Sequence, residues 1–248
     1  MGGGNVTTEA IVLAATDVGE EDRILTFITP GFGLLKAAAT SARNLRKGRT
    51  APLDLFVRTS LDINAPGRGG KLKRIGSANV IEPFLGIRAD YKLLCAASYL
   101  GQTIAYCVQE DDPSLQIYDL VLHCLRSLDR GVAPFNVLLL FEVRFLNEMG
   151  LLPELKYCLQ CGEEVTGDVY LDERSGGVTH RTCLSGEYKG ALTSGDLAVL
   201  RYLYGKSLSR ASKLSIREQD AVRVFELLHP FTVHHLGYRS GALEMMKG

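Results

Sequence analysis

Two short motifs in the second half of the chain carry the residues best suited to bind a metal. Cys158-Leu159-Gln160-Cys161 and His180-Arg181-Thr182-Cys183 each set two donors with two residues between them, and eighteen residues separate Cys161 from His180. A CxxC turn aims both side chains at one point, and a second pair across a hairpin completes a tetrahedral shell, so zinc is the expected ion. Gly162, Gly176 and Gly177 supply the tight turns such a ribbon needs, with Val169-Tyr170-Leu171 as one of its strands. Three thiolates and one imidazole leave no open position for water, which makes the expected role structural. A zinc deaminase is excluded because no glutamate follows His180 by two residues. The alternative is a redox pair or a set of unliganded side chains; stoichiometric zinc in the purified protein separates the two. Cys95, Cys107 and Cys124 lie in apolar helical stretches and read as small core residues.

Charge supplies the second constellation. The formal net charge is zero, yet residues 36–74 hold ten Lys or Arg against two acids, a local excess of about +8, whereas residues 82–156 are acidic. Lys36, Arg43, Arg46, Lys47, Arg49, Lys71, Lys73 and Arg74 are the candidate phosphate contacts, with Phe32 or Phe56 available to stack on bases. Such flexible cations give affinity without reading sequence, so binding should weaken steeply with salt. The competing reading is an ordinary solvated face.

Catalytic signatures are missing. Residues 67–71 superficially resemble a phosphate loop, but Ala65 stands where the first glycine belongs and Leu72 replaces the magnesium-binding Ser or Thr. No nucleophile elbow or dinucleotide fingerprint occurs. Asp17, Glu20, Glu21 and Asp22 are the sole carboxylate cluster in the expected barrel that a metal-dependent nuclease could use, and they read as a solvated turn. His229, His234 and His235 read as helix-end or partner residues. The chain is therefore expected not to be an enzyme. No apolar run approaches the roughly 20 residues needed to span a bilayer, and no signal peptide is visible, so a cytoplasmic protein is expected.

These side chains must be positioned by two kinds of structure. Residues 9–14, 23–29, 34–40, 53–63 and 71–81 read as strands, with Pro30-Gly31-Phe32-Gly33 and residues 66–70 as turns. Five short strands with one longer connection, residues 41–52, fit an OB-type barrel. After Pro83 the periodicity becomes helical. Helices are expected over residues 90–109 capped by Asp90, 112–128 opened by Asp112-Pro113, 134–149 closed by Gly150 and 194–204, with a last one opened by a capping box at Ser215-Ile216-Arg217-Glu218. The expected class is α+β: an N-terminal five-stranded barrel over residues 1–82, then a helical domain over 83–248 with a zinc-ribbon-like module inserted at about 156–190.

Several separated motifs resemble one family. Residues 9–13 (Glu-Ala-Ile-Val-Leu), 19–24 (Gly-Glu-Glu-Asp-Arg-Ile), 33–37 (Gly-Leu-Leu-Lys-Ala), 70–72 (Gly-Lys-Leu) and 81–84 (Ile-Glu-Pro-Phe) are similar to the opening domain of the RecO family, and the zinc pairs with His235-Leu236-Gly237-Tyr238-Arg239 are similar to its C-terminal half. The resemblance spans nearly the whole chain. It implies an OB-fold domain, a helical domain with a zinc module, and a mediator role in DNA repair and recombination. Such proteins bind single- and double-stranded DNA, anneal complementary strands and help load RecA onto DNA coated with single-strand-binding protein, with RecR as partner. Many zinc-bearing relatives carry cysteine where this chain has His180, and members without the zinc cysteines exist. The rival to this reading is a zinc-ribbon adaptor that binds another protein and has no direct DNA role.

Overall fold

The computed structural model describes residues 6–18, 22–39, 53–64, 72–184 and 190–247. Five strands form where apolar residues alternate with polar ones: β1 (Val6–Val18), β2 (Asp22–Thr29), β3 (Gly33–Ala39), β4 (Arg58–Asn64) and β5 (Lys73–Glu82). They close into a barrel in the order β1-β2-β3-β5-β4, with β3 and β5 parallel and every other pair antiparallel. That order is the OB-type barrel expected from the sequence. Its interior is filled by Ala10, Val12, Leu25, Phe27, Leu35, Ala37, Ala39, Leu61 and Ile63. Small alanines beside Phe27 let five short strands curl around one narrow core.

β4 begins later than its hydrophobic pattern suggests. Leu53 to Val57 form turns instead, and Phe56 adopts a left-handed backbone with φ of 62° while remaining buried. Phe56 donates its amide to the Val12 carbonyl at 2.8 Å, and Val12 donates to Val57 at 3.1 Å. This junction coincides with a bulge between Val12 and Ala14 in β1. Ala10 and Val12 face the barrel interior, and Ile11 and Leu13 are buried as well because a helix packs on the outer face of this strand.

Eight helices follow among the described residues: α1 (Leu85–Ala89), α2 (Tyr91–Cys107), α3 (Leu115–Asp129), α4 (Pro134–Glu148), α5 (Ser194–Gly205), α6 (Leu208–Ala211), α7 (Glu218–Leu236) and α8 (Gly241–Lys247). Two expected starts move. Pro113 lies before the cap of α3, where the Ser114 hydroxyl accepts from the Ile117 amide at 3.2 Å. The capping box at Ser215 does not form. Instead the Asn136 side chain pairs with both backbone groups of Ile216, at 3.1 and 3.2 Å, holding that residue out of the helix until Glu218. Asp90 caps α2 as expected, accepting from Lys92 and Leu93, and Gly150 follows α4 with a φ of 70°.

Strand gives way to helix after Glu82, but compactness divides the chain elsewhere, into residues 1–130 with 240–248 and residues 131–239. In the first unit α2 lies on β1, where Gly101 permits close approach: an added Cβ would meet the Leu13 carbonyl oxygen at 3.1 Å. Cys95 and Cys124 are buried there as core residues and Cys107 is half-buried, with burial pushing the Cys107 thiol up to about 11. An ionic network ties barrel to helix. Arg126 of α3 grips Glu82 through Nε and Nη2 at 2.8 to 3.1 Å, and Arg58 reaches Glu9 at 2.7 Å and Glu82 at 3.4 Å. Arg126, against the opposing pull of burial, holds the Glu82 carboxyl below its usual range, with Arg58 assisting.

In the second unit α4, α5 and α7 share one core. Thr193 and Asp196 form a capping box at α5, and Arg223 clamps Asp196 at 2.6 and 2.7 Å. Burial works to raise the Asp196 carboxyl, but Arg223 and Thr193 outweigh it and hold it low. The fully buried Glu142 of α4 meets His229 Nδ1 at 2.6 Å and accepts from the Thr232 hydroxyl at 2.9 Å. His229 therefore sits in mid-helix as an interior partner, not at a helix end.

Two stability predictions result. Removing one partner strands a buried carboxylate, so His229→Ala should cost about 3 to 5 kcal/mol in urea denaturation, and Glu142→Leu/His229→Phe should cost less than that single change. Because Glu82 and Asp196 titrate below their unfolded values, the stability they contribute is complete above about pH 5 and disappears as pH falls through the lower folded values. Arg126→Met should accordingly lower the melting temperature at neutral pH, with the gap to the parent narrowing in acid; an unchanged gap would contradict this assignment.

Candidate metal centre and nucleic-acid surface

The metal-ligand candidates converge. The ligand atoms of Cys158, Cys161, His180 and Cys183 all lie within 4.8 Å of one another, and Cys161 Sγ is 3.5 Å from His180 Nδ1. Donors about 2.0 to 2.3 Å from a tetrahedral zinc stand roughly 3.5 to 3.8 Å apart, so the cluster needs only slight contraction to close on an ion. Backbone geometry explains the convergence. Gly162, with a φ of 77°, turns the chain so that its amide donates to the Cys158 carbonyl, while Cys158 donates to Glu163, both at 2.9 Å. A hairpin of β6 (Val169–Asp172) and β7 (Gly177–His180) carries the second pair, and a 3-10 turn at Arg181–Cys183 brings Cys183 round. Its loop is held by Asp172, which accepts from the amides of Arg174 and Ser175.

Segment 154–159 runs beside β7. Glu154 exchanges backbone bonds with Gly176 and Val178 at 2.9 and 3.0 Å, and Leu159 donates to Val178 at 3.0 Å. Gly177 is required there, since a Cβ would come within 2.8 Å of the Glu154 carbonyl oxygen. Cys158 is 2% exposed and belongs to the same core cluster as Leu139, Val143, Leu197 and Leu228. The expected inserted module is thus continuous with the helical core.

The cluster's electrostatics favour a thiolate. Burial alone would raise the Cys158 thiol, but the amides of Cys161, His180 and Gln160 point at its sulfur and bring it down to about 6. For Cys183, burial and the neighbouring Cys161 push the other way. Anionic sulfurs crowded together without a cation repel one another, so this donor set fits a divalent metal. The four residues can hold such an ion with no protein-free coordination position.

The basic candidates divide. Arg43, Arg46, Lys47, Arg49 and Lys71 lie outside the described residues. Lys36 and Lys73 occupy the parallel strands β3 and β5, with Ala37 opposite Lys73 and Ala38 opposite Arg74. Both lysines are engaged: Lys36 with Glu110 at 2.7 Å and Lys73 with Asp111 at 2.9 Å. Lys73 Nζ also stands 5.8 Å from the Phe32 ring centroid. Arg74 is exposed and makes no ion pair among the described residues. Strand register gathers the flanks of the basic stretches. Val18 pairs with Asp22, Arg23 with Ala39, Ala38 with Arg74, and Arg74 with Asn64, so one end of the barrel carries the strand ends adjoining the basic stretches 40–52 and 65–71 together with those adjoining the acidic 19–21. Of the carboxylates considered for a nuclease, Asp17 is bonded to Arg23. The Glu110 and Asp111 contacts escaped sequence reading, because nothing local predicts that a loop after α2 returns to the barrel.

An OB-type barrel ahead of a helical region that carries a Cys3His metal cluster defines the class. Comparison with known proteins narrows it. The family described as Recombination protein O N terminal matches residues 1–84, and Recombination protein O C terminal matches residues 88–244. A protein named DNA repair protein RecO from Anaeromyxobacter sp. (strain K) is 30% identical over 239 residues, covering 96% of this chain and 94% of its own. One of the same name from Dehalococcoides mccartyi (strain CBDB1) is 29% identical over 213 residues, covering 86% and 83%. Another from Bacillus pumilus (strain SAFR-032) is 27% identical over 233 residues, covering 94% and 90%. The chain belongs to the RecO family. No helix among the described residues is long and apolar enough to cross a membrane.

Cys158→Ser should abolish metal binding by this cluster and lower stability together, because metal affinity in such modules is largely folding free energy. Elemental analysis beside thermal denaturation checks this; full metal content in the variant would exclude Cys158 as a ligand.

Proposed function

We propose that this protein is a DNA repair and recombination mediator that binds single- and double-stranded DNA and anneals complementary strands without covalent catalysis. On this reading it assists loading of RecA on DNA coated with single-strand-binding protein, works with RecR, and acts in the cytoplasm at the nucleoid. The ion in the Cys158, Cys161, His180 and Cys183 cluster is zinc, and it holds structure.

The observation that carries the reading is the register of the closed barrel. It brings the strand ends that adjoin the basic stretches to one end, beside Lys36, Lys73 and Arg74. The relatives' name, DNA repair protein RecO, supports a role in DNA repair.

The mechanism is electrostatic. Two strands approach slowly because their phosphates repel, and cations bound along each lower that repulsion so that bases find complements. Nucleotide hydrolysis supplies none of this and is not required. Released counterions drive the binding, which makes it strongly salt-dependent and insensitive to sequence.

Charge reversal of Arg43, Arg46 and Lys47 to glutamate should weaken single-strand binding and annealing together and flatten the log-log salt dependence by about 2, at roughly 0.7 per lost phosphate contact. Metal content should not change. Annealing at the parent rate in this variant would sink the proposal.

A further inference from the structure

We propose that residues 110–112 form an acidic strap that competes with nucleic-acid phosphates for the barrel's lysines and sets how readily DNA binds. The idea rests on the DNA-binding reading above and adds a device to that same surface.

Three consecutive acids, Glu110, Asp111 and Asp112, follow α2. β3 is paired along its length with β2, but β5 covers its other edge only at Ala37 and Ala38. The strap occupies the uncovered part. Glu110 forms bridges to Gly33 and Leu34, and the Asp111 amide donates to the Leu34 carbonyl at 3.3 Å. Asp111 takes a left-handed backbone with φ of 58°, which turns the segment at that point. Gly33 makes the approach feasible, since any Cβ there would collide with the Asp112 carbonyl.

This docking delivers carboxylates to two candidate phosphate contacts. Glu110 meets Lys36 and Asp111 meets Lys73, the two lysines standing on neighbouring parallel strands. A carboxylate on a lysine presents the same charge and the same acceptor oxygens that a phosphate would. Both pairs remain open to water, with the acids' side chains 50% and 71% exposed. Exposed pairs of this kind are weak, so a polyanion offering many phosphates can displace them, whereas an isolated anion cannot. The strap thereby raises the threshold for binding without abolishing it, and it steepens the preference for long polyanions.

The test uses the full chain and a fluorescein-labelled deoxythymidine oligomer of about 20 nucleotides, with anisotropy followed between about 50 and 200 mM salt. Glu110→Gln/Asp111→Asn should bind about tenfold tighter than the parent, because no ion pair has to be broken before the phosphates reach the two lysines. Asp119→Asn/Glu148→Gln, which changes net charge equally and leaves residues 110–112 intact, should gain far less. Adding Lys36→Gln/Lys73→Gln to the neutral strap should erase its gain, while the same lysine changes in the parent should alter binding little. A neutral strap that binds no better than the charge control, beside a parent that does bind, overturns the strap and leaves the DNA reading standing. If neither the parent nor any variant binds, the DNA reading itself fails. Thermal melting of each variant, expected within a few degrees of the parent for exposed isosteric changes, identifies one that has failed to fold.

Discussion

The shortest strand contact in the barrel governs most of what the N-terminal unit presents. β3 and β5 meet at only two residue pairs, Ala37 with Lys73 and Ala38 with Arg74, yet without them the sheet would be open. A parallel pairing cannot be made by a hairpin, so the chain must leave β3, build β4 against β1, and return. That route fixes which strand ends share a rim. It also leaves the first half of β3 without a partner on one side, and an uncovered edge invites a guest. Here the guest is the protein's own segment between α2 and α3.

The second unit solves a different problem. Its core is dominated by leucine, valine and phenylalanine, but it admits polar groups at depth, among them a carboxylate on α4 and a thiol of the candidate metal cluster. Each is tolerable only because its demands are met on the spot. Glu142 has His229 and Thr232; the Cys158 sulfur has three backbone amides directed at it. An interior of low dielectric makes such arrangements specific, since a helix that slid by one turn would leave a charge without its counterpart.

Much of this was readable in the amino-acid order, and the failures have a common cause. The cluster of Cys158, Cys161, His180 and Cys183 was visible because its spacing encodes its geometry. The strands were visible because the barrel buries alternate residues, although β4 could not be separated from the turns at Leu53 to Val57, where Phe56 is buried by a left-handed backbone. Ser215 carried every local mark of a helix cap, yet Asn136, about eighty positions away in sequence, claimed Ile216 and moved the start. The acids at 110–112 and the partner of His229 were hidden for the same reason. Their roles are set by groups remote along the chain, which no window of neighbouring residues contains.

Placing a candidate ligand thiol inside the helical core has an evolutionary corollary. Cys158 fills volume among leucines and valines from several elements, so an ancestor or descendant that abandoned the ion could not simply let that position drift to a polar residue. Loss of the metal would have to proceed with an aliphatic side chain entering at 158 while the other three ligands, which reach toward the surface, were free to diverge. Substitution at the four sites should therefore be lopsided across lineages, with one tightly restricted in volume and three permissive.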